Sequence, residues 1–350
     1  MNKRILTMAI AAATLSTAAS AASPDFYGAM RFAVSNADTG YAANGGGGAG
    51  FTLQDDNSLV GVRGKIELDA PFQLVYQAEV GVQGVDSTNT QKPFYARDTF
   101  LGIAGNFGQL TFGRQALAIW KSEGGVDQFN LTNADMNRLF TGNNRVADMI
   151  NYVSPKIAGA TVYASYQLKD DVYGKDAEVP GDLYSIGAVY GDKSLKDKPY
   201  HIGLGYNAGV NNVEALRITG QVAVAKLKLG AVYQNSKSLV NTNLDGSGFM
   251  LDAAYPITPK LSLKARYGQD DSGQGVYMGR ILGDGNLGID KSQVNATKVV
   301  NMAIGADYKL SKTTKLYTHF SRYDAQVDVA SARVYDATDN VFNLGLMTKF

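Results

Sequence analysis

Residues 216–233 read LRITGQVAVAKLKLGAVY, and their pattern decides the fold. Leu216, Ile218, Gly220 and Val222 alternate with polar or small residues. After Ala225-Lys226, Leu227, Leu229, Ala231 and Tyr233 alternate again. A period of two across a two-residue break is a pair of antiparallel strands, each with one apolar and one wet face.

The same signal spreads in both directions. Phe26, Gly28, Met30, Phe32 and Val34 share one face upstream, with Ala29, Arg31 and Ala33 opposite. Val60, Val62, Gly64, Ile66 and Leu68 interleave with Gly61, Arg63, Lys65 and Glu67. Downstream, Leu261, Leu263, Ala265 and Tyr267, then Met302, Ile304, Ala306 and Tyr308, repeat it. About sixteen strands of roughly ten residues are expected. Short turns, such as Asn106-Phe107-Gly108 and Ser311-Lys312-Thr313, alternate with longer stretches. Those are Asp38–Asn57, Lys169–Gly181, Ser236–Gly246, Asp270–Thr297 and Asp324–Asp339. Short turns at one end and long loops at the other fit an antiparallel transmembrane β-barrel, in which no strand edge meets lipid. Tyr166, Tyr184, Tyr206, Tyr233 and Tyr267 are expected near the loop ends, and Tyr190, Tyr255, Tyr308 and Phe350 near the turn ends, as two aromatic girdles.

The N-terminus is read separately. Asn2-Lys3-Arg4, the apolar run Ile5–Leu15 and the small residues that follow predict a signal peptide over 1–21, cleaved after Ala21 or Ala22. Residues 22–350 would then form one barrel domain. Loss of Lys3 and Arg4 takes the formal charge from +1 to −1, which gives no basis for a nucleic-acid partner. The chain has no cysteine, hence no disulfide and no thiolate metal site. His201 and His319 are too isolated in sequence for a zinc site and suit a polar lining. A Ser-His hydrolase would need a strained nucleophile turn, and no Gly-x-Ser-x-Gly occurs. Asp55-Asp56 and Asp270-Asp271 lack the spaced ligands of a dedicated calcium site. No enzyme and no cofactor is expected.

One segment breaks the rhythm. From Gly113-Arg114 to Arg145 some thirty residues show no strand pattern, and they hold the sole Trp, Trp120, with Glu123, Asp127 and Asp135. So long a connection usually carries function. It is expected to fold into the barrel and narrow it, with wall arginines facing loop carboxylates across the water. Cations of lumen parity, Arg31, Arg63 and Lys65, would cost about 2–4 kcal/mol each if turned to lipid at the midplane.

At these residues the chain resembles the general porins of Gram-negative outer membranes. Phe26-Tyr27-Gly28, residues 59–64 (LVGVRG), residues 99–115 (TFLGIAGNFGQLTFGRQ), Asn151-Tyr152-Val153-Ser154-Pro155 after Arg145, and the terminal Phe350 carry the likeness. The resemblance implies a 16-stranded barrel, an inward-folded third loop, a homotrimer, and passive diffusion of ions and small hydrophilic solutes through the outer membrane, among lipid and lipopolysaccharide. It implies that Arg114 and Arg145 face the loop from the wall and that Arg63 is a basic wall position. Arg31, Arg63, Arg114, Arg145, Glu123 and Asp127 are the expected constriction residues. The family's Pro-Glu-Phe loop tip is missing. Lys228, Lys264 and Arg266 add to the basic wall, opposed by Glu67, Glu79, Asp252 and Asp307, and a mild anion preference is expected.

Overall fold

A computed structural model describes residues 23–44, 48–85, 93–169 and 181–350. The signal-peptide expectation and most of the Lys169–Gly181 loop lie outside them. Seventeen strand segments follow one another: β1 (Asp25–Ala37), β2 (Gly50–Asp55), β3 (Leu59–Glu67), β4 (Phe72–Val82), β5 (Phe94–Gly105), β6 (Gly108–Ala116), β7 (Arg145–Val153), β8 (Ala160–Gln167), β9 (Tyr184–Gly191), β10 (Tyr200–Ala208), β11 (Val213–Val224), β12 (Leu227–Ser238), β13 (Asp245–Pro256), β14 (Leu261–Asp270), β15 (Val294–Lys309), β16 (Thr314–Val329) and β17 (Ala332–Lys349). Among the described residues, two α-helical turns, α1 (Ala118–Lys121) and α2 (Val276–Ile281), lie in loops, with four short 3-10 turns.

Successive strands pair antiparallel, except β2 and β3, which both pair with β1, and β1 pairs with β17 to close the cylinder. Gly28 N–H donates to the Phe350 carbonyl at 2.8 Å, and Phe350 N–H returns a bond to Gly28 O at 3.1 Å. The terminal aromatic residue thus seals the seam. β2 pairs with the upper half of β1 and β3 with its lower half, so together they form one stave and the barrel has sixteen. The break falls at Asp56–Ser58, where Asn57 takes φ 68° and Ser58 N–H donates to Asp55 Oδ1 at 2.6 Å.

Alternation sorts the side chains as read. On β11, Leu216 and Ile218 are 40% and 46% exposed on the outer face, while Arg217 and Thr219 between them are buried in the lumen. The girdles form as ring pairs: Tyr184 with Tyr206 at 6.2 Å and Phe249 with Tyr267 at 5.9 Å, and near the short turns Tyr190 with Tyr200 at 5.9 Å.

Two expected loops are shorter than the sequence suggested. Gly50–Asp55, within the Asp38–Asn57 stretch, is strand, with Phe51 and Leu53 exposed. Asp324–Asp339 is almost wholly a continuation of β16 and β17, turning at Ala330-Ser331, both at positive φ. A two-residue turn with both central φ positive matches the twist of a hairpin. Its outward residues are polar, so the segment resembled a loop. They form ion pairs instead, Arg322 with Asp324 along β16, Arg333 with Asp336 along β17, and Arg333 with Asp328 across the hairpin. Strands of 16 and 18 residues exceed the roughly ten needed to span the bilayer, and the excess stands in water.

Candidate functional site: the infolded loop and the gap beside it

The segment between β6 and β7 folds into the lumen and lies along the wall. Its base closes where Leu117 N–H donates to Asn144 O at 3.2 Å. Ile119 N–H donates to Ser185 Oγ at 3.0 Å, Gln221 Nε2 donates to Gly125 O at 2.9 Å, and Gln128 N–H donates to Asp252 Oδ2 at 2.7 Å. Asn133 Nδ2 donates to Ser35 Oγ at 2.9 Å, and Tyr323 OH donates to Asn133 O at 2.8 Å. The loop is therefore fixed in turn to β9, β11, β13, β1 and β16. Both histidines touch it: His201 Nε2 lies 3.3 Å from Ser122 O, and His319 meets Phe129 edge-on at 6.0 Å.

Wall glycines allow this contact. A Cβ at Gly203 would overlap the Ser122 carbonyl, and one at Gly187 would sit 2.6 Å from Ala118 O. Gly203→Val is expected to push α1 off the wall and change single-channel conductance, whereas valine at Gly220, which has open space, is expected to leave conductance near wild type. Planar-bilayer recording checks both.

The loop carboxylates do not face Arg114 or Arg145, which corrects the expected pairing. Glu123 accepts from Arg217 Nη1 at 3.1 Å, from Asn143 Nδ2 at 2.9 Å and from Trp120 Nε1 at 3.0 Å. Asp127 pairs with Arg266, and it accepts from Phe129 N–H at 2.8 Å and Met136 N–H at 2.9 Å. Arg266 also binds Asp252 through Nε at 2.7 Å and Nη2 at 2.6 Å. Asp135 caps the next turn, accepting from Asn137 N–H at 2.9 Å and Leu131 N–H at 2.7 Å. These acids are buried and hold the loop in place. Unpaired, each would carry a large desolvation cost.

The expected arginines separate. Arg145 remains at the loop base, donating from Nε to Asp98 Oδ2 at 2.7 Å and lying 4.5 Å over the Trp120 ring. Arg114 stands opposite Thr99, on the parity of outward Phe112 rather than of lumenal Thr111 and Gln115. It therefore does not face the loop from the lumen. Arg63 stays on the wet face near the start of β1, paired with Asp25 at 2.8 Å and exposed. Arg31 does border the gap beside the loop. Arg97 and Arg217 carry wall charge that sequence reading does not name, and Arg266, expected on the basic wall, turns out to hold the loop. Arg97 pairs with Glu79 on a bulge, and lumen parity was the signal available for Arg217 and Arg266.

The gap is a cavity of about 280 Å³ between the loop and the wall of β14, β16, β17 and β1. Gly125, Asp127, Gln128 and Leu131 line the loop side, and Arg31, Lys264, Lys315 and Lys349 the wall. Lys264 and Lys315 share Asp307, at 2.8 Å and 2.7 Å. The lining itself carries four cations, Arg31, Lys264, Lys315 and Lys349, and one carboxylate, Asp127, which Arg266 already pairs.

Above the gap, α2 and the loop after β14 form an internal apolar plug. Tyr277, Met278 and Ile281 are buried against Met136, Leu139 and Phe140 of the infolded loop. Tyr277 stacks on Tyr323 at 4.5 Å. Tyr41 OH donates to Asp284 Oδ2 at 2.6 Å, and Arg280 Nη1 donates to Tyr41 O at 2.9 Å. The Tyr41 hydroxyl, with the Asn286 amide, holds Asp284 below the usual carboxylate range. Because that pKa is depressed, the latch is present above the ordinary carboxylate pKa and is lost as pH falls through the lower, folded value. Limited proteolysis of residues 271–293 is expected to increase on acidification in the native chain, and Tyr41→Phe is expected to cut readily already at neutral pH.

A family described as Gram-negative porin matches residues 6–328. The major outer membrane protein P.IB of Neisseria meningitidis serogroup B is 24% identical over 335 residues, covering 90% of this chain and 91% of that protein. An anion-selective porin from Comamonas acidovorans superposes with TM-score 0.68 at 18% identity, covering 94% of this chain and 99% of its own. OmpT of Vibrio cholerae, in a trimer form, gives TM-score 0.66 at 16% identity, with coverage of 94% and 99%.

Proposed function

Since this chain belongs to the Gram-negative porin family and is an outer-membrane channel for passive diffusion of small solutes, not an enzyme, we propose that its current runs through the gap between the infolded loop and the β14–β16–β17–β1 wall, with a preference for anions. The observation that carries this reading is the engagement of Glu123 and Asp127 with Arg217 and Arg266. Their charge is spent on anchoring the loop, so Arg31, Lys349 and the net positive charge left on the Lys264–Asp307–Lys315 cluster set the potential of the open side. Facing charges at close quarters select which ions pass. Of the six expected constriction residues, Arg31 lines the path, Glu123 and Asp127 position the loop, and Arg145 fixes its base. A neighbour in fold, the porin from Comamonas acidovorans, is anion-selective, which agrees. Reversal potential under a KCl gradient tests the reading: a chloride-preferring sign supports it, and a potassium-preferring sign overturns it.

Homotrimer assembly is proposed on two supports. OmpT, a neighbour in fold, occurs as a trimer, and the strands around Gly102–Gly113 have small residues and weak alternation that suit contact with another copy. Lipid and lipopolysaccharide would surround the rest of the apolar outer band. Cross-linking in detergent followed by gel migration, with and without heating, tests the trimer.

A further inference from the structure

Building on that reading of the channel, we infer that a row of lysines at the turn end of the lumen is a binding station for small polyvalent anions of the phosphate type. Lys309 stands directly opposite Lys315 across β15 and β16. Lys309 N–H donates to Lys260 O at 2.9 Å, which places Lys260 beside it on the other flank. All three continue the parity of lumenal Lys264 and Asp307. Like charges directly opposite one another on a sheet are destabilising, so a row of three is a cost that an anion would remove. Lys312 and Lys349 join them around a concavity of about 440 Å³ whose lining contains no carboxylate. The nearby Asp307 is already shared between Lys264 and Lys315. Among the described residues, Lys260, Lys309, Lys312 and Lys349 have no acidic partner.

Two features favour a polyvalent solute over chloride. Adjacent strands set these lysines about 5 Å apart, so one phosphate or diphosphate can meet two or three ammonium groups at once, while a chloride ion meets one. Lys315 and Lys349 also border the gap beside the infolded loop. An anion leaving the gap therefore reaches the row without losing contact with cations. The station holds solute in the path and concentrates it there; no bond is made or broken.

The test is block of chloride current by inorganic pyrophosphate, using the full chain in neutral phosphatidylcholine bilayers at 0.1 M KCl. Concentration-dependent block is expected, and K260Q/K309Q is expected to raise the half-blocking concentration about fivefold or more. Lys237, at the opposite end of β12, supplies the control K237Q, expected to block as wild type. Absence of block in the wild type, or equal block in K260Q/K309Q, overturns the inference. If the double variant does not fold, K309Q alone carries the comparison. Repeating the titration in bilayers containing anionic lipid separates solute from headgroup: lysine-dependent block that persists supports the inference, and block that disappears assigns the lysines to lipid and overturns it. A chloride-preferring reversal potential without pyrophosphate block would sink the station and leave the diffusion reading standing.

Discussion

Replacing Arg266 with methionine is expected to free the infolded loop and give a wider, noisier channel. Arg266 is fully buried and answers Asp127 on the loop and Asp252 on the wall together. Removing it leaves two carboxylates facing each other out of water. Breaking a buried charge network in this way costs about 3–5 kcal/mol, and here the cost falls on the attachment of the loop as well as on the barrel. Phe129 would also lose the guanidinium 5.2 Å from its ring. Single-channel recording should show higher conductance with frequent transitions, and the heat-modified gel shift should move to lower temperature. Adding Asp127→Asn and Asp252→Asn to the methionine variant should recover much of the loss, because no uncompensated charge then remains. If the single variant conducts and melts as wild type, Arg266 does not anchor the loop.

The second large effect concerns ion choice. Arg31→Gln with Lys349→Glu removes three units of positive charge from the wall side of the gap. At about 0.5 kcal/mol per unit of partly exposed charge, the chloride-to-potassium permeability ratio should fall by roughly tenfold. The change should be largest near 0.1 M salt, where the screening length is about 10 Å, and much smaller at 1 M, where it is about 3 Å. Neutralising exposed Arg63, which is paired with Asp25 away from the loop, should alter the ratio far less. Reversal potentials across a salt gradient measure both variants. Equal effects from Arg63 and from the Arg31–Lys349 pair would place the selective region elsewhere.

Alternation is a local property, and it carried most of the architecture. Leu216 and Ile218 had to face away from Arg217 and Thr219 whatever the remainder of the chain did, because successive strand residues point to opposite faces. The strand count and the closure follow from that pattern, the spacing of turns and the lack of an open edge in lipid, while the inward loop is expected from its length and from the porin resemblance. The hairpin at Ala330-Ser331 reads as a loop in sequence because its outward side chains are polar, as they are both in a loop and in strands that rise above the membrane.

Which charge meets which was not a local matter. Glu123 lies 94 residues from Arg217, and Asp127 lies 139 from Arg266. Sequence identifies the acids on a loop and the cations on a wet face, but the loop's path along β9–β14 decides which of them are consumed in holding it. Arg114 and Arg145 flank the loop in sequence and so looked like its partners. Shared parity with outward Phe112 takes Arg114 off the lumen face, and Arg145 pairs with Asp98 rather than with a loop carboxylate. The sequence alone settled that there is a barrel with a wet bore. The tertiary structure decided where in that bore positive charge is left over, because only packing brings distant residues close enough to neutralise one another.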